Sequence, residues 1–314
     1  MSPSSVVRGE PDYPPLLADL PRAPGLRVLG RLPEAAGVAI VGTRGASPGA
    51  YGFARALAGA CVRRGLSVWS GGAAGIDGAA HEGALDAGGP TVVVLGGGLG
   101  QLYPPEHAEL FDAVVTGGGA LVSLFADDEH PTPPRFHARN AILAAATLVT
   151  IVVQAPRKSG ARSTARHARR LGRPVGVVAH PPWDTLGAGC FDELTLGARV
   201  VCDVDDVLAL VEQARSARAR RALDVHRGQL ADAVSIPAAS ASEAARAASE
   251  HEFEPSAAVA HVLAALEKTP LHVDDLCETT HLPPARVAEA LLTLTLQAVV
   301  VEGPAGLWRR KFGK

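Results

Sequence analysis

Apolar residues recur along the first two thirds of the chain in short runs that alternate with longer segments of mixed polarity. Several runs are apolar at consecutive positions, which indicates strands covered on both faces of a parallel sheet. We predict strands near Val38–Val41, Leu66–Trp69, Thr91–Leu95, Leu121–Ser123, Leu148–Val153, Val175–Val178 and Arg199–Cys202. We predict helices at Pro48–Arg63, Ile76–Ala87, Phe136–Thr147, Ser163–Leu171 and Asp205–Ala214. This alternation predicts a doubly wound, mostly parallel, Rossmann-like α/β sheet.

The same pattern divides the chain into four parts. Residues 1–37 are too short for a domain and are predicted to pack as a lead-in on the α/β domain, which spans 38–214. Residues 215–255 are rich in Ala, Ser and Arg and have the composition of a linker, which could be helical in part. Residues 256–314 are predicted to form a small winged-helix domain. Its predicted helices are Ala257–Leu266, Val273–Thr280 and Ala285–Leu296, and its hairpin strands are Ala298–Val301 and Leu307–Arg309.

Composition argues against several classes of protein. The four cysteines are scattered without a CxxC pair or a histidine at ligand spacing, so we predict neither a disulfide framework nor a metal site. The longest apolar run, Leu148–Val153, is far too short to cross a bilayer, and the first 17 residues contain no apolar segment typical of a signal peptide. We therefore expect a cytoplasmic protein.

The formal net charge of −2 conceals a strong asymmetry along the chain. Between His130 and Trp183 there is no Asp or Glu, and there are nine cationic residues. These residues are Arg135, Arg139, Arg157, Lys158, Arg162, Arg166, Arg169, Arg170 and Arg173. Such a segment indicates a surface that attracts a polyanion, although a solvated basic helix face would have the same composition.

Glycine-rich loops follow three successive predicted strands. The first holds Gly42, Thr43 and Arg44, and Ser47 before Pro48 predicts a helix that begins directly after this loop. The second holds Ser70, Gly71, Gly72 and Gly75, and the third holds Gly96, Gly97 and Gly98. Backbone N–H groups at a helix N-terminus favour an anion, although one such loop alone is often only a tight turn. Three loops at the carboxyl ends of parallel strands predict a shared crevice.

Two further loops reach the same predicted edge of the sheet. One holds Phe136, Arg139 and Asn140, and the other holds Lys158, Ser159, Gly160, Arg162, Ser163 and Thr164. Arg162, Arg166 and Arg170 recur every four residues, so a helix there would carry them as one cationic stripe. We predict that these residues and the glycine loops form a groove that binds single-stranded DNA. Phe136 would either stack on a base or be buried in the core.

These motifs resemble those of the DNA-processing protein A family, also called DprA or Smf. Gly42-Thr43-Arg44 resembles the family's Gly-Ser-Arg, and Ser70–Asp77 resembles its Ser-Gly-x-Ala-x-Gly-Ile-Asp. Leu95–Pro105 is similar to its Leu-Gly-x-Gly-x-x-x-x-Tyr-Pro-Pro. Phe136, Arg139 and Asn140 match its Phe-Pro-Arg-Arg-Asn-Arg block, and Ser159-Gly160 with Thr164-Ala165 match its Ser-Gly-x-x-x-Thr-Ala. The chain departs from the family pattern at Ala74, His137, Ala138, Ala141 and Gly189-Cys190-Phe191.

The resemblance implies a Rossmann-type protein that binds single-stranded DNA and has no enzymatic activity. It implies a homodimer formed through the Rossmann domain, loading of the RecA recombinase on DNA during natural transformation and recombination, and displacement of single-strand-binding protein. The α-helical domain that often precedes the Rossmann unit in this family is not recognised in the sequence. Because several family arginines are replaced, Arg157, Lys158 and Arg162 are expected to supply cationic contacts instead.

Other functions fit the sequence less well. A Gly-x-Gly-x-x-Gly turn and a Walker A loop are both absent, so we expect no nucleotide cofactor. Ser70–Gly78 also resembles a loop of LOG-type nucleoside-monophosphate phosphoribohydrolases, but Thr116–Leu121 lacks the threonine and glutamate of their second motif. A sequence-specific regulator is also disfavoured, because the predicted winged helix offers few cations that could contact base edges. Asp77 and His81 could form an acid–base pair or an ordinary i, i+4 helix pair.

Overall fold

The structure is a computed structural model of the chain. It describes residues 2–233, 257–266, 271, 273–282, 286–287, 290–291, 294, 299–302 and 308–310. The chain forms two compact units, Met1–Ala231 and Asp232–Lys314, and each is described by itself. In these described ranges, no helix has the length and apolar character needed to span a membrane.

A nine-stranded sheet organises the first unit. Its strands are β1 Ser4–Val6, β2 Leu26–Gly30, β3 Gly37–Val41, β4 Ser67–Ser70, β5 Thr91–Val94, β6 Ala120–Ser123, β7 Val149–Val152, β8 Val175–Val177 and β9 Arg199–Val200. Their spatial order is β1-β2-β6-β5-β4-β3-β7-β8-β9. Strands β3 to β9 pair in parallel, whereas β1 and β2 form an antiparallel edge beside β6. The predicted mostly parallel, Rossmann-like fold is confirmed.

Helices cover both faces of this sheet. They are α1 Pro15–Ala18, α2 Pro48–Arg63, α3 Ile76–Asp86, α4 Ala108–Thr116, α5 Pro133–Ala146, α6 Ala161–Arg170, α7 Ala188–Thr195 and α8 Val204–Ala233. Val38 and Ile40 of β3 pack in one core cluster with α2, α3 and α8, while Ala39 and Val41 pack in another with α5 and α6. Because both faces are covered, β3 is apolar at every position.

The largest differences from the sequence prediction lie at the two ends of the first unit. Residues 1–37 do more than pack against the domain, because they contribute β1, β2 and α1. Residues 215–233, predicted as part of a linker, continue α8, since Ala and Arg are strong helix formers. Residues 234–255 of that predicted linker lie outside the described residues.

The described part of the second unit agrees with the predicted winged helix. It contains α9 Ala257–Ala265, α10 Val273–Thr280, and a hairpin of β10 Val300–Glu302 and β11 Trp308–Arg310. Val287, Leu291 and Leu294 are helical and lie in the predicted third helix. They pack in one core cluster with Val262 and Leu276.

Candidate nucleic-acid interface

The order of strands creates a crevice beside β3. From β3 the chain advances through β4, β5 and β6 on one side, and it then returns to place β7, β8 and β9 on the other. The loops after β3 and β7 therefore separate at the carboxyl edge of the sheet, which is the usual ligand position in open α/β folds. A pocket of about 320 Å³ occupies this position.

The pocket brings together about half of the predicted site. Its lining includes Gly42, Thr43, Arg44, Phe136, Arg139, Asn140, Lys158, Ser159, Gly160 and Thr164. The other predicted residues, Ser70, Gly71, Gly72, Gly75, Arg162, Ser163, Arg166 and Arg170, do not line it. Ala73, Asp77, Pro156 and Ala161 line the pocket but were not predicted as site residues.

Arg44 and Phe136 lie against each other in this pocket. Arg44 is exposed in the loop before α2, and the Oγ of Ser47 caps that helix by accepting a hydrogen bond from the Ala50 N–H at 3.4 Å. The Arg44 guanidinium lies 5.6 Å from the centroid of the Phe136 ring. Phe136 is half-buried, so its position falls between the free stacking face and the core side chain that the sequence left open.

Tyr103 adds a second aromatic ring beside Phe136. Tyr103 is 42% exposed, its ring centroid lies 5.9 Å from that of Phe136, and the two rings are inclined by 58°. It was missed as a site residue although it is the tyrosine of the Tyr-Pro-Pro motif. Two aromatic rings beside an exposed cation form a surface suited to unpaired bases and phosphates.

Arg139 is buried beneath this surface. Its Nη1 donates hydrogen bonds to the carbonyl oxygens of Val94, at 2.7 Å, and Gly71, and its Nε donates to Asn140 Oδ1 at 3.0 Å. Burial lowers the pKa of Arg139, while the nearby Asp77 carboxylate opposes this effect. Three N–H groups of Arg139 therefore bond within the protein, to the β4–α3 loop, to the end of β5 and to the next residue of α5, which the sequence did not indicate.

Asn140 continues this internal network towards the β7–α6 loop. Its Nδ2 donates a hydrogen bond to the carbonyl oxygen of Gly160 at 3.2 Å. Arg139, Asn140 and Gly160 thus connect α5 to the loop that begins α6. The positions of Lys158 and Ser159 in the pocket depend on this connection.

Asp77 and His81 have separate partners on α3. The hydroxyl of Thr91 donates to the Val68 carbonyl at 2.7 Å, so it accepts from His81 Nδ1 at 2.8 Å. Burial lowers the pKa of His81 to about 3, and His107 and Arg139 add to the effect. Asp77 accepts from the Ala73 N–H at 3.4 Å, and burial raises its pKa against the opposing charge of Arg139. Neither the predicted acid–base pair nor the helix pair is formed.

Glycines in the β4–α3 loop allow close packing within the protein. A Cβ at Gly71 would overlap the Arg139 guanidinium, and one at Gly75 would overlap the backbone of Thr43 and Arg44. Gly75 also has a φ of +80°, a conformation that favours glycine. The Ser70 hydroxyl donates to the Ile40 carbonyl at 2.6 Å. This loop therefore supports the Arg44 loop from behind, whereas we had expected it to approach phosphate.

Several cations of the acid-free segment are neutralised by α7. Arg162 Nε lies 2.8 Å from Glu193 Oε1, and Arg162 Nη1 lies 3.2 Å from Asp192 Oδ2. Arg169 also pairs with Glu193, which is only 1% exposed. Arg157 Nε lies 3.5 Å from Asp192 Oδ1. The expected compensation by Arg157 and Arg162 is therefore weakened, because their charges are partly balanced within the protein.

Four cations on this side of the sheet keep their charge available to a ligand. In residues 2–233, we find no hydrogen bond or ion pair to the side chains of Arg44, Lys158, Arg166 or Arg170. All four are exposed. Arg166 and Arg170 lie one turn apart on α6, as the predicted stripe requires, while Arg162 is held by α7.

Sequence comparisons match both units. The family model of DNA recombination-mediator protein A matches residues 4–212, and the model of the DprA winged helix domain matches residues 237–306. The chain belongs to this family. Protein Smf of Synechocystis is 30% identical over 99% of this chain and 81% of its own length. The putative DNA processing protein DprA of Mycobacterium tuberculosis H37Rv is 42% identical over 58% of this chain, and the match spans 47% of that relative's length.

Two solved DprA structures share the fold. DNA processing protein A from Streptococcus pneumoniae has a TM-score of 0.61 and 33% identity, over 66% of this chain and 73% of that one. The Helicobacter pylori protein, described as having a unique single-stranded DNA binding mode, has a TM-score of 0.59 and 26% identity, over 67% of this chain and 96% of that one. The family resemblance inferred from the loop motifs is confirmed.

Proposed function

We propose that this DprA-family chain binds single-stranded DNA in the cytoplasm, across the crevice at the carboxyl edge of its sheet. One observation carries the proposal: the exposed Arg44 guanidinium lies over the Phe136 ring, and the exposed Tyr103 ring lies beside it. Sequence-independent binders of single strands combine cations that follow the backbone with aromatic rings on which bases stack. The Helicobacter pylori relative, described with single-stranded DNA, supports the same assignment.

The exposed cations suggest a path for the strand. Arg44 and Lys158 lie at the pocket, and Arg166 and Arg170 continue along α6. We propose that phosphates meet these four side chains while unpaired bases meet Phe136 and Tyr103. Arg139 and Asn140 act mainly by holding the loops in place.

The recombination role is proposed from the family. The family description names a recombination mediator, so we propose that DNA held here is passed to the RecA recombinase in place of single-strand-binding protein. We further propose a homodimer through the first unit. Phe191 is 59% exposed on α7 and Val200 is 43% exposed on the short edge strand β9, which gives this end of the sheet apolar surface for a second copy.

We propose a binding protein in preference to a LOG-type phosphoribohydrolase. The segment nearest to that enzyme's second motif, Thr116–Leu121, runs from the end of α4 into the start of β6 and therefore lies at the amino-terminal ends of the strands. The pocket lies at the opposite edge. This segment is on the wrong side of the sheet to supply a catalytic carboxylate to a nucleotide in the crevice.

Fluorescence anisotropy with a labelled oligo-dT and a duplex of equal length tests the proposal. We expect the full chain to bind the single strand more tightly, and Arg44→Ala or Tyr103→Ala to weaken that binding. Arg31→Ala is the matched control, because Arg31 is exposed and follows β2, which runs antiparallel to β6 and so ends at the opposite edge. Equal losses in all three variants, or a preference for duplex, would contradict the proposal.

A further inference from the structure

The loop between β8 and α7 carries an exposed tryptophan that the site described above does not include. Trp183 is 82% exposed, whereas most large apolar side chains of this unit are buried. The loop follows β8, which pairs in parallel with β7. Trp183 therefore lies at the same edge of the sheet as the loops that carry Arg44 and Lys158.

Hydrogen bonds hold this loop in one conformation. The Asp184 carboxylate accepts from the Leu186 N–H at 2.9 Å and lies 2.9 Å from His180 Nδ1. His180 Nε2 donates to the Val153 carbonyl at 2.8 Å. Although partial burial raises it, the hydrogen bonds from the Leu186 N–H and from Gln154, together with the electrostatic effect of His180, hold the pKa of Asp184 below its usual range. Trp183 thus projects from a braced turn.

A buried glutamine joins this turn to the candidate interface. Gln154 is 1% exposed, and its Nε2 donates to Asp184 Oδ2 and to Ser47 Oγ, each at 3.1 Å. The backbone carbonyl of Gln154 accepts a hydrogen bond from the Thr43 N–H at 2.7 Å. Gln154 therefore connects the residue next to Trp183 with both ends of the loop that carries Arg44.

We propose that Trp183 is a second base-stacking platform, which extends the bound single strand across β7 and β8 from the Phe136 and Tyr103 rings. This inference rests on the proposed function. Adjacent strands lie about 4.8 Å apart, so the ends of β3 and β8 are about 10 Å apart. Three stacked nucleotides, at about 3.4 Å each, cover the distance from the Arg44 loop, whose guanidinium lies 5.6 Å from the Phe136 ring centroid, to the end of β8. A strand that also stacks on Tyr103, which follows β5, must be longer. An indole stacks on any base without reading its sequence.

The charges around Trp183 are compatible with a polyanion. Asp184 is the residue next to Trp183, and its carboxylate already accepts hydrogen bonds from the Leu186 N–H and Gln154 and lies 2.9 Å from His180 Nδ1. Lys158 in the adjacent β7–α6 loop is exposed, with no ion pair in residues 2–233. An exposed tryptophan could equally anchor a protein partner. Its place at the edge that carries Arg44 and Lys158 favours DNA.

The test compares full-length Trp183→Ala and Trp183→Phe with Leu196→Ala. Leu196 is also apolar and 53% exposed, but it follows α7 and lies at the opposite edge of the sheet. Affinity for an oligo-dT is measured by anisotropy, and oligomeric state by analytical ultracentrifugation. Trp183→Ala should weaken binding by about 5-fold or more, the low end of one stacked base, while Trp183→Phe and Leu196→Ala keep most of the affinity. Irradiated bromodeoxyuridine oligonucleotides should crosslink to the peptide that contains Trp183.

The outcomes separate this inference from the function on which it rests. If Arg44→Ala loses affinity while Trp183→Ala binds normally and its peptide does not crosslink, the second platform is wrong and the proposed function stands. If Trp183→Ala changes the oligomeric state and retains DNA affinity, Trp183 belongs to a protein interface and the inference is overturned. If the unmodified chain does not bind the oligonucleotide, both fail.

Discussion

Replacing Arg44 and Arg139 one at a time should separate a ligand contact from a structural cation. The family motifs mark both arginines as DNA-binding candidates, yet their surroundings differ. Arg44 is exposed, and its guanidinium lies 5.6 Å from the centroid of the Phe136 ring. Arg139 is 6% exposed and donates to two backbone carbonyls and to Asn140. We expect Arg44→Ala to change binding alone and Arg139→Leu to change stability first.

The expected magnitudes follow from these contacts. An exposed cation–π contact contributes about 0.5–1 kcal/mol, so Arg44→Ala should lower the free energy of unfolding by about 1 kcal/mol at most. Arg139→Leu removes the cation that faces buried Asp77 and leaves carbonyl acceptors without donors, a class of change that costs about 3–5 kcal/mol. For a unit of this size the second loss corresponds to a fall in Tm on the order of 10 °C.

Thermal unfolding followed by circular dichroism gives the stabilities, and anisotropy at several salt concentrations gives the binding. Arg44→Ala should keep its Tm within a few degrees and reduce the slope of log K against log salt by about 0.7, which is one phosphate of a single strand. Arg139→Leu, measured well below its Tm, should keep the slope. If Arg139→Leu keeps the Tm of the unmodified chain but reduces the slope by about 0.7, the Arg139 guanidinium contacts a phosphate directly and its assignment as a structural cation is refuted.

Three further predictions concern the first unit alone, the stripe on α6 and His81. Residues 1–233 should bind the oligonucleotide as the full chain does, and loss of binding with intact circular dichroism would assign the site to the winged helix. Charge reversal at Arg166 and Arg170 should shorten the nuclease footprint, and a constant footprint with slower association would mean steering only. His81 has a lowered pKa, so its stabilising contribution is full above pH 6.5 and falls by about 1.4 kcal/mol per pH unit towards pH 3. His81→Gln should flatten that loss in urea titrations.

The central sheet was predictable because hydrophobic periodicity reports burial. β3 is buried at every position, and its strand and the following α2 end within a residue of their predicted bounds. β1 lacked such a signal, since two of its three residues are exposed and it pairs only with β2. The extent of helix in residues 215–233 was hard to predict for a different reason. Their composition suits a linker, but the preceding helical turns of α8 make continuing the helix easier than starting one.

The position of the crevice was predictable, but the state of the charges around it was not. Parallel strands share one carboxyl edge, so loops after β3 and β7 had to meet there. The sequence could not show that Asp192 and Glu193, about 30 residues after Arg162, would neutralise it. Nor could it show that Arg139 would be buried while Tyr103 would stay exposed. The ion pairs of Arg162 depend on the packing of α6 against α7, which no local sequence pattern encodes.

This difference in charge state has a measurable consequence for DNA binding. If Arg44 and all nine cations of the acid-free segment met phosphates, the slope of log K against log salt for residues 1–233 would be about −7. The structure leaves Arg44, Lys158, Arg166 and Arg170 exposed, with no ion pair in the described part of this unit, and predicts a slope of about −3. Because stacking on Phe136 and Tyr103 is uncharged, binding should persist at salt concentrations that would release a purely electrostatic binder. A slope near −5 would show that the Asp192 and Glu193 ion pairs open when DNA binds and free Arg157, Arg162 and Arg169, so that the stripe along α6 includes Arg162 after all.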